Sequence, residues 1–123
     1  MVKDILGISG TTTGTTTDTT KPDITFPAQP TVSVTSASIN WTTDEPSSTQ
    51  VQYGTTDAYD KSEPTQPADD PTSGTSLGVV THSVVLTGLQ PNTTYHYRVK
   101  SKDKAANEAV SEDKTFTTTA SPD

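Results

Sequence analysis

An all-β fold, built as a sandwich or barrel of short strands, is what this chain of 123 residues predicts. Three observations carry that expectation. Apolar residues recur with a period of two in several separate runs, turn-forming residues punctuate those runs, and no window shows the 3.6-residue apolar stripe of an amphipathic helix.

The first run is Ala37, Ile39 and Trp41, alternating with Ser38, Asn40 and Thr42, which gives a strand with one buried face. Asp44-Glu45-Pro46-Ser47-Ser48 then reads as a turn. Val51 and Tyr53 resume the alternation until Gly54 stops it. Residues Ser62 to Gly78 hold three prolines, two glycines and almost no apolar side chain. Their length and their prolines predict a long mobile loop or an irregular edge. His82, Val84 and Leu86 share one face of the next strand, and Gln90-Pro91-Asn92 turns the chain. Tyr95, Tyr97 and Val99 alternate with His96, Arg98 and Lys100, and Asp103 to Asn107 forms another turn. Phe116, between Thr115 and Thr117, marks a last strand. The expected core is Ile39, Trp41, Val51, Tyr53, Val84, Leu86, Leu89, Tyr97, Val99 and Phe116.

The ends differ from this middle. Ser9 to Lys21 contains no apolar residue, so nothing offsets the entropy of ordering it. Its threonines favour extended geometry, and residues 1–21 read as a Thr-rich flexible linker or tail. Residues 22–119 form the folded domain, with the long loop at 62–78, and 120–123 begin a second linker. Disordered termini on both sides fit a module held within a longer multidomain chain.

Composition narrows the functional classes. Only 28% of residues are hydrophobic, while 27 Thr and 13 Ser make up a third of the chain, so one modest core is expected. With no Cys there is no disulfide framework, thiolate nucleophile or Cys-based zinc site. A net charge of −7 argues against nucleic acid as a partner. No apolar run approaches the roughly 20 residues of a membrane span, so no membrane insertion is expected. Met1 to Ile8 is too short for a signal peptide; if the module is exported, its signal lies elsewhere in a longer parent chain.

Two stretches resemble the fibronectin type III family, an immunoglobulin-like sandwich. Ala37-Ser-Ile39-Asn-Trp41 is similar to that family's second strand with its buried Trp. Leu89, Pro91 and Tyr95 match its Leu-x-Pro-x-x-x-Tyr corner, in which the Tyr hydroxyl bonds back to upstream backbone. The resemblance spans about Asp23 to Thr119 and implies a seven-stranded β-sandwich with Trp41, Leu89, Pro91 and Tyr95 as structural residues. The stretch from Thr42 to Gly54 and the final Thr115-Phe-Thr-Thr118 look like a bacterial or archaeal surface-protein version. The same phrases are similar to the non-catalytic N-terminal domain of purple acid phosphatases. That enzyme's chemistry needs a two-metal site with several His, Asp and Asn ligands. Here only His82 and His96 are present, on opposite parities of different strands. No enzymatic activity, catalytic residue, metal or cofactor is therefore expected, and His82 reads as a partly buried structural residue.

Three surface features remain as candidates for binding. Asp57, Asp60, Glu63, Asp69 and Asp70 place five carboxylates in fourteen residues, with Lys61 as the one opposing charge. Such a loop suits weak calcium binding, although its spacing matches no EF-hand and a solvated acidic loop is the plainer reading. Asp103 and Asn107 raise the same thought. Arg98, Lys100 and Lys102 share one strand face and Lys104 follows, a basic row suited to an acidic polysaccharide or another surface protein, or simply to solvent. Among the aromatic residues, Tyr59 alone is expected to be free, which makes a poor sugar platform. Asn40-Trp-Thr42 and Asn92-Thr-Thr94 fit the N-glycosylation pattern. The expectation is an extracellular, monomeric, non-catalytic spacer and interaction module, partnered by neighbouring domains of its parent chain. A polysaccharide- or protein-binding module using 98–104 or 57–70 is the alternative, and an accessory domain of a metallophosphatase the remote one.

Overall fold

Alternation and turns translate into strands and sheets in the computed structural model, which describes residues 18–121. The expectation for the Thr-rich segment thus lies mostly outside the described residues. Nine strands occur among them, and no helix. They are β1 (Ile24–Thr25), β2 (Thr31–Val32), β3 (Ala37–Ser47), β4 (Thr49–Gly54), β5 (Lys61–Ala68), β6 (Val79–Leu86), β7 (Thr94–Lys102), β8 (Glu108–Val110) and β9 (Lys114–Thr117).

One sheet is centred on β3, which pairs antiparallel with β1, β2 and β6; the other runs β5-β4-β7, with β8 and β9 both on β7. Because β6 occupies one edge of β3 from Ala37 to Thr42, β1 and β2 must share the other edge. They are two pieces of one edge strand, interrupted where Pro27 and Pro30 remove ladder donors. Likewise β8 and β9 are two pieces of one strand. At their break the Ser111 amide donates to the Val99 carbonyl and the Ser111 hydroxyl accepts from the Val99 amide, each at 2.9 Å. Counted this way, the sandwich has seven strands, two of them broken.

Two expectations need correction. Asp44 to Ser47 is no separate turn: β3 continues through it as a bulge, with pairing to β6 resuming at Ser47↔Val79. The crossing to the other sheet is made at Ser48, whose amide donates to the Lys102 carbonyl while its hydroxyl accepts from the Lys102 amide. Of the two readings of 62–78, a long mobile loop or an irregular edge, the loop is corrected: 61–68 is an edge strand with a register shift, and only the connection after it is a loop. Pro64 and Pro67 are tolerated since β5 pairs with β4 alone, and Gln50 Nε2 reaches the Pro64 and Thr65 carbonyls at 3.1 Å where the register shifts. The remaining connection ends at Gly78, where a Cβ would sit 2.7 Å from the Ser47 nitrogen on a backbone with φ of 82°.

Between the sheets lie Ala37, Ile39, Trp41, Val51, Tyr53, Val84, Leu86, Leu89, Tyr95, Tyr97, Val99 and Phe116. Phe116 stacks on Tyr95 at 5.5 Å and tilts against Tyr97 at 5.7 Å, so three rings close one pole of the sandwich. There the Gln90 amide donates to the Tyr95 hydroxyl at 2.8 Å, and Leu89 is fixed by a bond from its amide to the Thr35 carbonyl.

Candidate functional site

At the opposite pole the same inward parity continues into polar residues. After Trp41 comes Thr43, and after Val99 come Ser101 and Asp103, all buried. His82 faces them from β6, 1% exposed, its ring stacked on Trp41 at 5.0 Å and 9°. Trp41 Nε1 donates to Ser101 Oγ at 2.9 Å.

Both ring nitrogens of His82 face buried hydroxyls. Nδ1 lies 2.7 Å from Thr49 Oγ1, which donates to Asp69 Oδ2 at 3.3 Å. Nε2 lies 2.9 Å from Thr43 Oγ1, which donates to the Glu45 carbonyl at 2.8 Å, and Ser47 Oγ stands behind at 3.4 Å. Burial lowers the His82 pKa to about 4, against a small opposing pull from Asp69. An acid, a base and hydroxyls thus lie in line, but the imidazole, Thr43, Ser47 and Thr49 are all buried. The arrangement holds a neutral imidazole in place and gives it no access to a substrate.

Beside this pole, carboxylate oxygens of Asp18, Glu45 and Asp103 lie within 4.8 Å of one another. Asn107 organises two of these residues: its amide donates to Asp103 Oδ1 at 2.8 Å, and its Nδ2 donates to Asp103 Oδ2 at 3.2 Å and to the Asp18 carbonyl at 2.9 Å. Of this group the sequence indicated only Asp103 and Asn107; Asp18 and Glu45 are distant in the chain and carry no local signal.

The five carboxylates of 57–70 are not brought together. Asp57 and Asp60 sit beyond one end of β5, and Asp69 and Asp70 beyond the other. Asp69 turns to Thr49, while Asp70 accepts from Thr72 and meets Lys102 Nζ at 3.5 Å. Burial raises the Asp70 pKa, but the Thr72 bonds and the Lys102 charge outweigh it and hold the carboxyl below its ordinary value.

The basic row is likewise engaged residue by residue. Arg98 donates from Nε to Gln52 at 2.7 Å and lies over the Tyr59 ring at 4.5 Å. Lys100 pairs with Glu108 at 3.5 Å, Lys102 with Asp70, and Lys104 is exposed in the turn. Tyr59, expected to be free, donates instead to Asp113 at 2.6 Å, and Asp113 also meets His96 Nδ1 at 3.0 Å. Desolvation and the Asp113 bond push the Tyr59 pKa up to about 12. A cleft of about 350 Å³ opens between β1 and β8–β9, where Lys114 Nζ lies 4.6 Å above the Phe26 ring.

Fold and surface together define a fibronectin type III-like β-sandwich whose inward histidine is structural and whose charged face is internally paired. The chain belongs to the family described as the purple acid phosphatase N-terminal domain, whose model matches residues 20–118. Among solved structures it is similar to the sensor domain of the anti-sigma factor RsgI4 of Pseudobacteroides cellulosolvens, with 18% identity, a TM-score of 0.54, and coverage of 84% of this chain and 99% of that one. That likeness is one of fold. No curated protein gives a significant match.

Proposed function

We propose that this domain is a non-catalytic, extracellular accessory module that spaces and orients neighbouring parts of a larger protein. The observation that carries this reading is the placement of its two ends. The incoming segment is held at Asp18 by Asn107, beyond the C-terminal end of β7. The outgoing segment is held at the other end of β7, where the Asn92 amide donates to the Thr119 carbonyl, the Thr119 amide to the Ser33 carbonyl, and Thr118 bonds to Thr93. The chain therefore enters at one pole and leaves at the other. At about 3.3 Å per residue, β7 separates them by roughly 30 Å. A domain threaded this way holds its neighbours apart, whereas one with adjacent ends would hang from its parent chain as a side branch.

The alternative binding surfaces are less favoured by the same geometry, since Lys100 and Lys102 of the basic row pair with Glu108 and Asp70 and the acidic residues are spread along β5. The test is an amide NMR titration of the full chain with calcium chloride and then with soluble gluco- and chito-oligosaccharides. Spacer function predicts no saturable shifts. Shifts confined to 57–70 or 98–104 would replace it with a binding function.

A further inference from the structure

We propose that the free edge of β6 pairs antiparallel with the β6 of a second copy of this chain, joining two sandwiches into one continuous sheet about a two-fold axis near His82. Any sheet edge offers unpaired backbone donors and acceptors, and proteins normally block it. Three of the four edges here are blocked. The β1/β2 edge is two dipeptides around Pro27 and Pro30; β5 carries Pro64, Pro67, Lys61 and Glu63; β8/β9 is broken at Ser111 to Asp113. By contrast β6 is eight residues long, Val79 to Leu86, without Pro, Gly or a formally charged side chain, and among the described residues it pairs only with β3. Leu77, Val80 and Val85 beside this edge are 86%, 45% and 56% exposed.

Charge and sequence select the occupant. A chain of net charge −7 repels its own copies, but no formal charge occurs between Asp70 and Arg98, nor between Asp23 and Asp44, which together supply almost the whole β6 sheet. The paired strands themselves set no like charges opposite one another; Asp69, which accepts from Thr49 beside His82, is a carboxylate close to the seam. A two-fold interface must also be self-complementary, and β6 reads nearly the same in both directions about His82. Val79 mirrors Val85, Val80 mirrors Val84, and Thr81 mirrors Ser83. Antiparallel pairing about that point sets valine opposite valine and hydroxyl opposite hydroxyl, with buried face continuing buried face.

One strand pair buries less than the ~1,200 Å² of a stable complex, so association is expected to be concentration-dependent. Sedimentation equilibrium of the full chain should show the average mass rising from 13.0 kDa toward that of a dimer between about 10 μM and about 1 mM. Thr81→Lys, on the exposed face of β6, should weaken association at least ~10-fold while the circular dichroism spectrum is kept. Val110→Lys, on the β8 edge, should leave association unchanged. If Thr81→Lys does not fold, Val85→Lys serves on the same face. A wild-type chain still monomeric at about 1 mM, a Thr81→Lys chain that associates like wild type, or growth past the dimer would each overturn the proposal.

Discussion

Where β6 leads into β7 the core is closed by rings, and where β3 crosses to β4 it is closed by hydroxyls and one imidazole. Tyr95, Tyr97 and Phe116 at the first pole are held chiefly by burial and ring contact, which tolerate small displacements. At the second pole Thr43, Ser47, Thr49, Ser101 and His82 are buried polar groups whose desolvation is offset only while each bond is made. The first pole is thus graded in its response to mutation, and the second comes closer to all-or-none.

The sharpest way to separate them is to truncate one large ring at each. Trp41→Ala removes the ring stacked on His82 and also strips Ser101 of its donor. A loss of about 3–5 kcal/mol is typical of such a truncation, and the orphaned polar groups place Trp41 at the upper end. Phe116→Ala leaves a cavity but orphans no hydrogen bond, and should fall at the lower end. Urea denaturation of both variants checks the order. Against a total of about 5–15 kcal/mol, Trp41→Ala alone can unfold the domain. Equal costs would mean that the polar network adds nothing to ring burial.

Within the core, acidity attacks the polar pole. Burial in the folded state holds the His82 pKa down to about 4, below the 6.5 of a free imidazole, so folding favours the neutral form. Its contribution is fully present above pH 6.5 and is lost as pH falls toward 4, about 3 kcal/mol in all. His82→Gln should flatten that part of the stability curve, measured by denaturant midpoints between pH 7 and pH 4. The aromatic pole has the opposite sensitivity. Burial raises the Tyr53 and Tyr97 pKa values above 10.0, so their contribution is lost only as pH rises past the unfolded value. A wild-type midpoint that does not move between pH 7 and pH 4 would refute the neutral, buried imidazole.

The difference between the poles also explains what could be read in the sequence. Every apolar core residue expected from alternation is buried, because burial of one face imposes a period of two whatever the tertiary detail. Continuing that period one step past the apolar residues reaches Thr43 and Ser101, and a second step reaches Asp103, so the polar pole was legible in principle. Its bonds were not, since Trp41 and Ser101 are 60 residues apart and His82 and Thr49 are 33 apart. The β5 strand was hidden for another reason: prolines ordinarily break ladders, and only its place at an edge makes Pro64 and Pro67 harmless. Pairing of the basic row with Glu108 and Asp70, and of Tyr59 with Asp113, likewise depends on strand neighbours that local spacing does not reveal.

The smallest effect belongs to the aromatic pole. Tyr95→Phe keeps the ring against Phe116 but removes the oxygen that accepts from the Gln90 amide. Gln90 is exposed and the bond only part-buried, so the expected cost is about 1 kcal/mol, a fall in Tm of several degrees. The corner itself should persist, because Leu89 remains bonded to Thr35 and Thr118 Oγ1 still donates to the Gln90 carbonyl at 2.6 Å. Hydrogen exchange can tell local loosening from global destabilisation: the Gln90 amide should exchange faster relative to wild type than the Val99 amide deep in β7. Uniform acceleration across the chain would mean instead that the corner bond is part of the cooperative core, and that the ring-closed pole is as all-or-none as the polar one.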